Sequence, residues 1–559
     1  MIRGDSTETA RLARAMAFAR HRGLTSDSAL ESLFASPQDD ADPDVLRLLR
    51  QMHEAGGWVL VESTLADLPA DLRWLYESEA VTLEQLAVLH HKLGATSSAD
   101  IAAAVEERAL PEIGLDGAVE AAVAAALPGL RNVTPRIPLG RATAIAEPFL
   151  ARLQSASGVL WATPAGSLRR GEDLVGDIEI VAATSQPGPV IDDILRQPDV
   201  IRSLHRGERR VYALIDRVQV GVVLPEPAES AGVLLYRTGS AAHFARLRAR
   251  AAAKGLLLKS SGLFSADGAA IDIDSEETLY DRLDLPFIPP EIRAGDDEFS
   301  AADRGRLPQL VAGDDIRGDL HMHSVWSDGR DPIDAMVEGC AALGYEYMAI
   351  TDHSQTSAAS RNLSVDGVKR QAEEVQRLRE QFPNIAILHG CEVDILPDGR
   401  LDFADRVLQQ FDIVLASLHE RAGQSPDQLM RRYASAMKHP LVALITHLTN
   451  RLVPHRQGYD LDYDRLFDLA VETRTALEID GAPGHLDLDG ALARRAIAAG
   501  ATVVIDSDCH RSDFLARQMQ LGLLTARRGW VEPRHVLNTR PLADVRAFIA
   551  AKRSGHRNG

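Results

Sequence analysis

His321-Met322-His323 and Asp508-Cys509-His510 each set two metal-ligand side chains one residue apart, and the chain between them adds Asp328, Asp352-His353, Glu392-Val393-Asp394, His419 and His447. Imidazole and carboxylate together suit zinc, manganese or iron, whereas an all-oxygen set would indicate magnesium or calcium. The nine groups His321, His323, Asp328, His353, Glu392, His419, His447, Asp508 and His510 are too many for one ion and suit two or three, with a shared carboxylate. Closely spaced ions acidify a bound water and clamp phosphoryl oxygens during in-line attack. The chemistry indicated is therefore metal-dependent phosphoester hydrolysis; a metal-bound water is expected at Glu392, His419 and Asp508. A lone histidine is more often structural or solvated than a ligand, and one HxH pair is weak evidence. Six separate strand ends supplying the same two ligand classes is stronger, because chance would scatter the histidines.

The elements that must gather these groups are legible around them. GDL, YMAI, IAILHG, FDIVLAS, LVALIT, TALEI and ATVVI are apolar runs too short for helices. Amphipathic stretches such as PIDAMVEGCAALG, VKRQAEEVQRLREQF and ALARRAIAAG separate them. Strand–helix alternation predicts a parallel sheet, and continuously apolar strands predict that both its faces are covered. Seven such runs fit a barrel better than a small open sheet. In barrels of parallel strands the C-terminal strand ends form one bowl, where residues distant in sequence converge.

Upstream, the texture is different. Residues 1–140 are alanine- and leucine-rich and predict successive amphipathic helices, among them Asp44–Glu54, Thr82–Leu93 and Ser98–Ala109. From Ser157, β-branched runs such as GDIEIVAAT and VQVGVVL predict a sheet, and LYRTGSAAHFARLRARAAAKGLLLK returns to helix. PFIPPEIRAGDDEFSAADRGRLPQLV reads as a linker from its Pro, Gly and acidic content, with the main boundary near Val311–Asp315. The resulting division is 1–140, 141–310 and 315–559. Within the middle segment, Gly166-Ser167 at a turn offers backbone amides to a phosphate, with Arg170 close by. Asp177 and Glu179, at alternate strand positions, point the same way to hold Mg²⁺.

A chain of 559 residues exceeds one hydrophobic core. Its net charge of −19 weakens a broad nucleic-acid grip, which calls for a basic surplus, without excluding a local basic patch. Arg246, Arg248, Arg250, Lys254 and Lys259 are the candidate patch; a solvated helix face accounts for them equally well. No apolar run is long enough to span a bilayer, the N-terminus lacks a secretory core, and three scattered cysteines suit a reducing cytoplasm.

GDLHMHSVWSDG, ITDHS, GCEVDIL, ASLH, ITHLTNR and DSDCH resemble, in order and spacing, the motifs of the PHP (polymerase and histidinol phosphatase) superfamily, from about Asp315 to the end. The resemblance implies a distorted (β/α)7 barrel binding up to three metals. It gives one ion to His321, His323, Glu392 and Asp508, with Glu392 bridging. A second adds His419 and His447, and a third uses Asp328, His353 and His510. Arg451, Arg527 and Arg528 are candidate holders of a substrate phosphate, since guanidinium suits that geometry. Cys391 and Cys509, beside ligands, read as small buried fillers, and Asp480 stands where the related polymerases usually have Asn.

GSLRR with DIE, LLYRTGSAAHFARLR, KGLLLKSSGLF, LPFIPPEIR and RLPQLV resemble the palm and thumb of bacterial family X DNA polymerases, a nucleotidyltransferase fold followed by a PHP half. The departures matter more than the matches. The third carboxylate of that palm falls at Gly221, Glu179 stands where Asp is usual, and Phe244 stands where Asn is typical. Asp216 and Glu226 flank the gap out of register. The helix-hairpin-helix segments LYESEAVTLEQL and LPEIGLDGAVEA are eroded. Two-metal phosphoryl transfer depends on all three acids, so the palm is expected not to polymerise efficiently and to hold Mg²⁺ only if it still functions. The leading expectation is a 3′-5′ exonuclease or 3′-end processing enzyme acting on DNA ends or gapped DNA in repair. The alternatives are a small-molecule phosphomonoesterase of histidinol-phosphatase type, an active gap-filling polymerase with proofreading, and a non-catalytic DNA-binding scaffold.

Overall fold

A computed structural model of the chain describes residues 98–554 apart from 131–135, 217, 358–360 and 420–422, together with scattered positions before 98. The expected helix at Asp44–Glu54 falls largely, and that at Thr82–Leu93 and the segment LYESEAVTLEQL partly, outside the described residues. Helix α1 (Ser98–Glu106) stops short of Ala109, because Arg108 turns into the left-handed region at φ +54°. In LPEIGLDGAVEA a short turn at Pro111–Ile113 ends on left-handed Gly114, and a helix restarts at Gly117, so part of a hairpin survives.

Helix α2 (Leu139–Ser155) buries Leu139, Ala142, Ile145, Ala146, Phe149 and Leu153, a spacing that puts them on one stripe against a sheet. That sheet holds β1 (Trp161–Pro164), β2 (Ile178–Ala183), β3 (Val200–Arg206), β4 (Arg210–Ile215) and β5 (Val218–Val223), in the order β1-β2-β5-β4-β3. Only β2 and β5 run parallel, with Glu179 in register with Gly221.

Helices α3 (Ser230–Thr238) and α4 (Ala241–Ala253) then build a separate apolar core with a hairpin at Leu256–Ser265. The stretch expected to be a linker belongs to this core. Ile288, Ile292, Phe299 and Ala302 are buried in it, and the fully buried Arg293 pairs with Glu276 at 2.6 Å. The acidic residues that made the segment look solvated are partly internal: Glu298 takes His243 at 2.8 Å. The basic face of α4 is likewise largely spoken for. Arg248 pairs with Glu106 at 2.6 Å, Arg250 with Asp303 at 2.8 Å, and Lys254 with Asp284.

The C-terminal part is a seven-stranded parallel sheet in strictly sequential order. Its strands are β6 (Gly318–Asp319), β7 (Tyr347–Ile350), β8 (Ala386–Asp394), β9 (Ile413–Ser417), β10 (Leu444–Ile445), β11 (Ala476–Asp480) and β12 (Val503–Asp506). The two ends of the sheet meet: Met322 bridges Cys509, and the His323 N–H donates to the Cys509 carbonyl at 2.9 Å. Side chains alternate between two cores. Tyr347 and Ala349 join Leu320, Leu388, Leu415, Leu444 and Val504 in one, while Met348 and Ile350 pack with the surrounding helices in the other. Val545 and Ile549 of the last helix complete the first core.

Helix α5 (Val365–Gln381) covers β8, and α6 (Leu515–Arg528) faces two ways. Leu515, Met519, Leu523 and Ala526 pack in the barrel core, while Leu521 joins the palm core with Leu486 from the loop after β11. The palm and the barrel therefore share apolar contacts through α6 and that loop. Among the described residues no helix is long and apolar enough to cross a membrane.

Candidate metal centre

Each barrel strand delivers its polar residues at its C-terminal end, as the alternation of apolar run and ligand requires. β6 leads into His321 and His323, β7 into His353, and β8 carries Glu392. β9 leads into His419, β10 into His447, and β12 into Asp508 and His510. His447 and Asp508 take positive φ values of +24° and +48°, uncommon for non-glycine residues and typical of sites held in place by their surroundings.

Glu392 is the hub. Its Oε1 lies 2.9 Å from His447 Nε2 and 3.5 Å from His419 Nε2; its Oε2 lies 2.9 Å from His353 Nδ1, 3.5 Å from His321 Nε2 and 3.6 Å from His323 Nε2. Asp508 Oδ1 stands 3.1 Å from His323 Nε2, and Asp328 Oδ1 stands 3.3 Å from His510 Nε2 and 3.5 Å from His353 Nε2. All nine expected groups are thus brought together in one bowl. His321, His323, His447 and Glu392 form its floor, while the side chains of Asp328, His419 and His510 are 25%, 25% and 36% exposed at its rim.

The geometry fits cations better than a hydrogen-bonded cluster. Glu392 Oε2, Asp328 Oδ1, His353 Nδ1 and His447 Nδ1 are buried and make no hydrogen bond, and buried polar atoms left this way ordinarily have an explanation such as an ion. His323 Nε2, His321 Nε2 and Asp508 converge, as do His323, Asp328, His353 and His510, and His353, Glu392 and His419, each set offering ligand atoms within 4.8 Å of one another. The partition differs from the one the resemblance implies. His353 faces both Asp328 and Glu392, and His323 stands between two sets rather than in one.

Electrostatics agree. Burial lowers the His321 pKa, but Glu478, Asp508 and Glu392 outweigh it and hold the imidazole well above its ordinary range. Burial likewise raises Glu392, but His353, His419 and His321 carry it well below the carboxylate range. His323 moves the other way: burial, with His353 and His510 beside it, brings it down to about 4, so it is a neutral donor at pH 7. The carboxylates call for positive charge at the centre of the bowl.

Outer contacts fix which nitrogen each ring presents. His321 Nδ1 meets Glu478 at 2.6 Å and His419 Nδ1 meets Asp394 at 2.6 Å, leaving each Nε2 for the bowl. Glu478 also accepts the His447 N–H at 2.6 Å. Asp352 accepts from Ser324, Ser327 and Gln371 and braces the loop after His323. Sequence reasoning missed Glu478 because TALEI reads as an apolar strand; a carboxylate inside such a run was the available signal.

The three phosphate-binding candidates are engaged elsewhere. Arg451 Nη1 pairs with Asp173 at 2.7 Å while its Nε donates to the His485 carbonyl, Arg528 pairs with Asp173 at 2.6 Å, and Arg527 pairs with Glu291 at 2.7 Å. These guanidiniums fasten the barrel to the palm and thumb. Arg528→Ala is accordingly expected to lower stability by about 1–3 kcal/mol while leaving the KM for a phosphoester substrate within about threefold. Thermal melts beside steady-state kinetics test this, and a tenfold rise in KM with an unchanged melt would return the residue to phosphate binding. At the rim, exposed Arg361 donates to the Gly329 carbonyl at 3.3 Å, and exposed Arg330 is the next residue after Gly329.

The palm residues are placed differently. Gly166 is left-handed at φ +59°, Ser167 Oγ accepts from the Gly176 N–H at 3.4 Å, and Arg170 donates to the Thr238 carbonyl at 2.6 Å. Asp177 lies partly buried just before β2. Glu179 pairs with Arg237 at 2.8 Å, and Arg237 pairs in turn with Asp100 of α1 at 2.8 Å. Asp216 pairs with Arg141 and Glu226 with Arg209, and both lie outside β5, whose position in register with Glu179 is Gly221.

Residues 233–294 match the DNA polymerase beta thumb family, and residues 319–482 match the PHP domain family. Over 508 residues, 90% of this chain and 88% of the relative, the sequence is 34% identical to the DNA polymerase/3′-5′ exonuclease PolX of Bacillus subtilis. A probable phosphatase of Syntrophotalea carbinolica is 27% identical over 35% of this chain and 82% of its own length. A probable phosphatase of Thermoanaerobacter sp. is 24% identical over 42% of this chain and 95% of its own length. With a relative matched along nearly its whole length, a polymerase-beta-type thumb and a PHP barrel in that order, the chain belongs to the bacterial family X DNA polymerases that carry a C-terminal PHP domain.

Proposed function

We propose that the barrel hydrolyses phosphodiester bonds at DNA ends as a 3′-5′ exonuclease or 3′-end processing enzyme of DNA repair. The observation that carries this is the Glu392 carboxylate ringed by five imidazole nitrogens, its buried Oε2 making no hydrogen bond, beneath an open rim. The nine ligand groups would hold two or three ions of zinc, manganese or iron. When bound, such ions supply Lewis acidity to the phosphoryl oxygens and acidify a water for in-line attack. The chain's own residues do the rest. Glu392 and Asp508 concentrate negative charge at the floor, and Glu478 and Asp394 hold the rings of His321 and His419 in the ligating orientation. Arg330 and Arg361 offer guanidiniums to a strand entering past Asp328.

The relative named a 3′-5′ exonuclease supports DNA as substrate. The relatives named probable phosphatases, matched over 35% and 42% of this chain, favour a second reading, a small phosphomonoester. The three cysteines are buried and free, and we place the enzyme in the cytoplasm on that ground. A manganese-supplemented assay of 3′-recessed labelled DNA beside a generic phosphomonoester, with and without dNTPs, separates the readings. The expected result is progressive 3′ shortening that does not need dNTPs. Rapid phosphomonoester turnover with intact DNA would replace this reading with the second.

A further inference from the structure

We infer that Asp480, His485 and Asp508 form an additional divalent-cation position, outside the nine-residue set and joined to it through Asp508. Asp480 ends β11, His485 lies in the loop that follows, and the three offer ligand atoms within 4.8 Å of one another. The cluster has more to it than adjacent acids. Asp480 is fully buried; its Oδ1 accepts the Ala482 N–H at 2.6 Å, and its Oδ2 has no hydrogen-bond partner. A buried carboxylate oxygen without a donor is costly unless a cation or proton meets it.

His485 is turned to serve the same point. Its Nδ1 donates to the Arg451 carbonyl at 3.0 Å, which fixes the tautomer and leaves the Nε2 lone pair available. Its ring stacks on that of His447, with centroids 5.2 Å apart. One imidazole with two carboxylates selects Mn²⁺, Fe²⁺ or Zn²⁺ over Mg²⁺ or Ca²⁺.

The position also has a structural consequence. The loop bearing His485 places Leu486 in the palm core, and Arg451, whose carbonyl holds His485, reaches Asp173 of the palm. A cation there would tie the barrel floor to the palm interface. This inference rests on the barrel holding cations at all, and the experiment keeps the two apart.

The full chain is stripped with chelator, re-equilibrated with Mn²⁺, freed of excess ion and counted by elemental analysis, beside Asp480→Asn and His485→Gln. The expected result is one fewer Mn²⁺ per chain in each variant, with the remaining equivalents retained. An equal count in wild type and both variants overturns the position while leaving the nine-residue centre standing. A wild type that binds nothing overturns both. Loss of more than one equivalent in both variants also overturns it, since the residues would then be supporting the main centre. Anomalous diffraction at the manganese edge on wild-type crystals is independent of variant folding: a peak between Asp480, His485 and Asp508 supports the position, and its absence in crystals with an occupied main centre overturns it.

Discussion

Glu392→Gln is expected to lower hydrolysis of 3′-recessed DNA by on the order of 10³-fold or more, with the fold retained. The amide keeps the volume but replaces one acceptor oxygen with a donor and removes the charge. Five imidazole nitrogens lie within 3.6 Å of this carboxylate, so no other single side chain touches as many prospective ligands. Removing it affects each set that His353, His419, His321 and His323 belong to, as well as the contact with His447, which is why the effect should exceed that of a rim substitution such as His510→Ala. A Glu478→Gln variant makes the contrast sharper, because Glu478 acts through the His321 and His447 orientations. It should cost about 10–100-fold in metal affinity, as outer-contact substitutions do, and be partly rescued by excess Mn²⁺. Far-ultraviolet circular dichroism beside single-turnover kinetics checks the pair. Turnover of Glu392→Gln within tenfold of wild type would remove Glu392 from the centre.

Much of this site was legible in the sequence because period and chemistry coincide there. Short apolar runs ending in His, Asp or Glu mark both a strand and the side of the barrel on which its cargo lies, and seven of them in sequential order leave few topologies. What was illegible depends on contacts between elements distant in the chain. The exposure of a guanidinium cannot be read from TNR or TARRG: Arg451 and Arg528 meet Asp173 more than 270 positions away in the chain, a pairing only the packed interface creates. The misjudged linker failed for the same reason. Phe299, Ile292 and the buried pair Arg293–Glu276 sit among Pro, Gly and acidic residues, and composition averages them away. The basic run on α4 predicted a charged face, whereas Glu106, Asp284 and Asp303 from three other segments largely neutralise it.

Primer extension with dNTPs and Mn²⁺ is expected to run below the 3′-shortening rate by on the order of 10³, and Gly221→Asp is expected not to restore it. A missing acid alone would make that substitution a plausible repair, because Gly221 is in register with Glu179 on the neighbouring strand. The surroundings forbid it. A Cβ at position 221 would meet Tyr212 Cε1 at 2.6 Å, so the ring opposite on β4 occupies the space a carboxylate needs. Glu179, the acid that remains on β2, is tied to Arg237, and Arg237 and Arg210 both pair with Asp100 from α1. The side chains of Asp100, Glu179 and Arg237 are nearly inaccessible, so magnesium would have to displace a desolvated ion-pair network to reach them. An aspartate forced into this site should cost about 3 kcal/mol or more from overpacking and an unpaired charge, seen as a lower urea midpoint. Extension products longer than the primer from the wild-type chain, abolished by Glu179→Ala, would show that the palm still polymerises and that the network opens in solution.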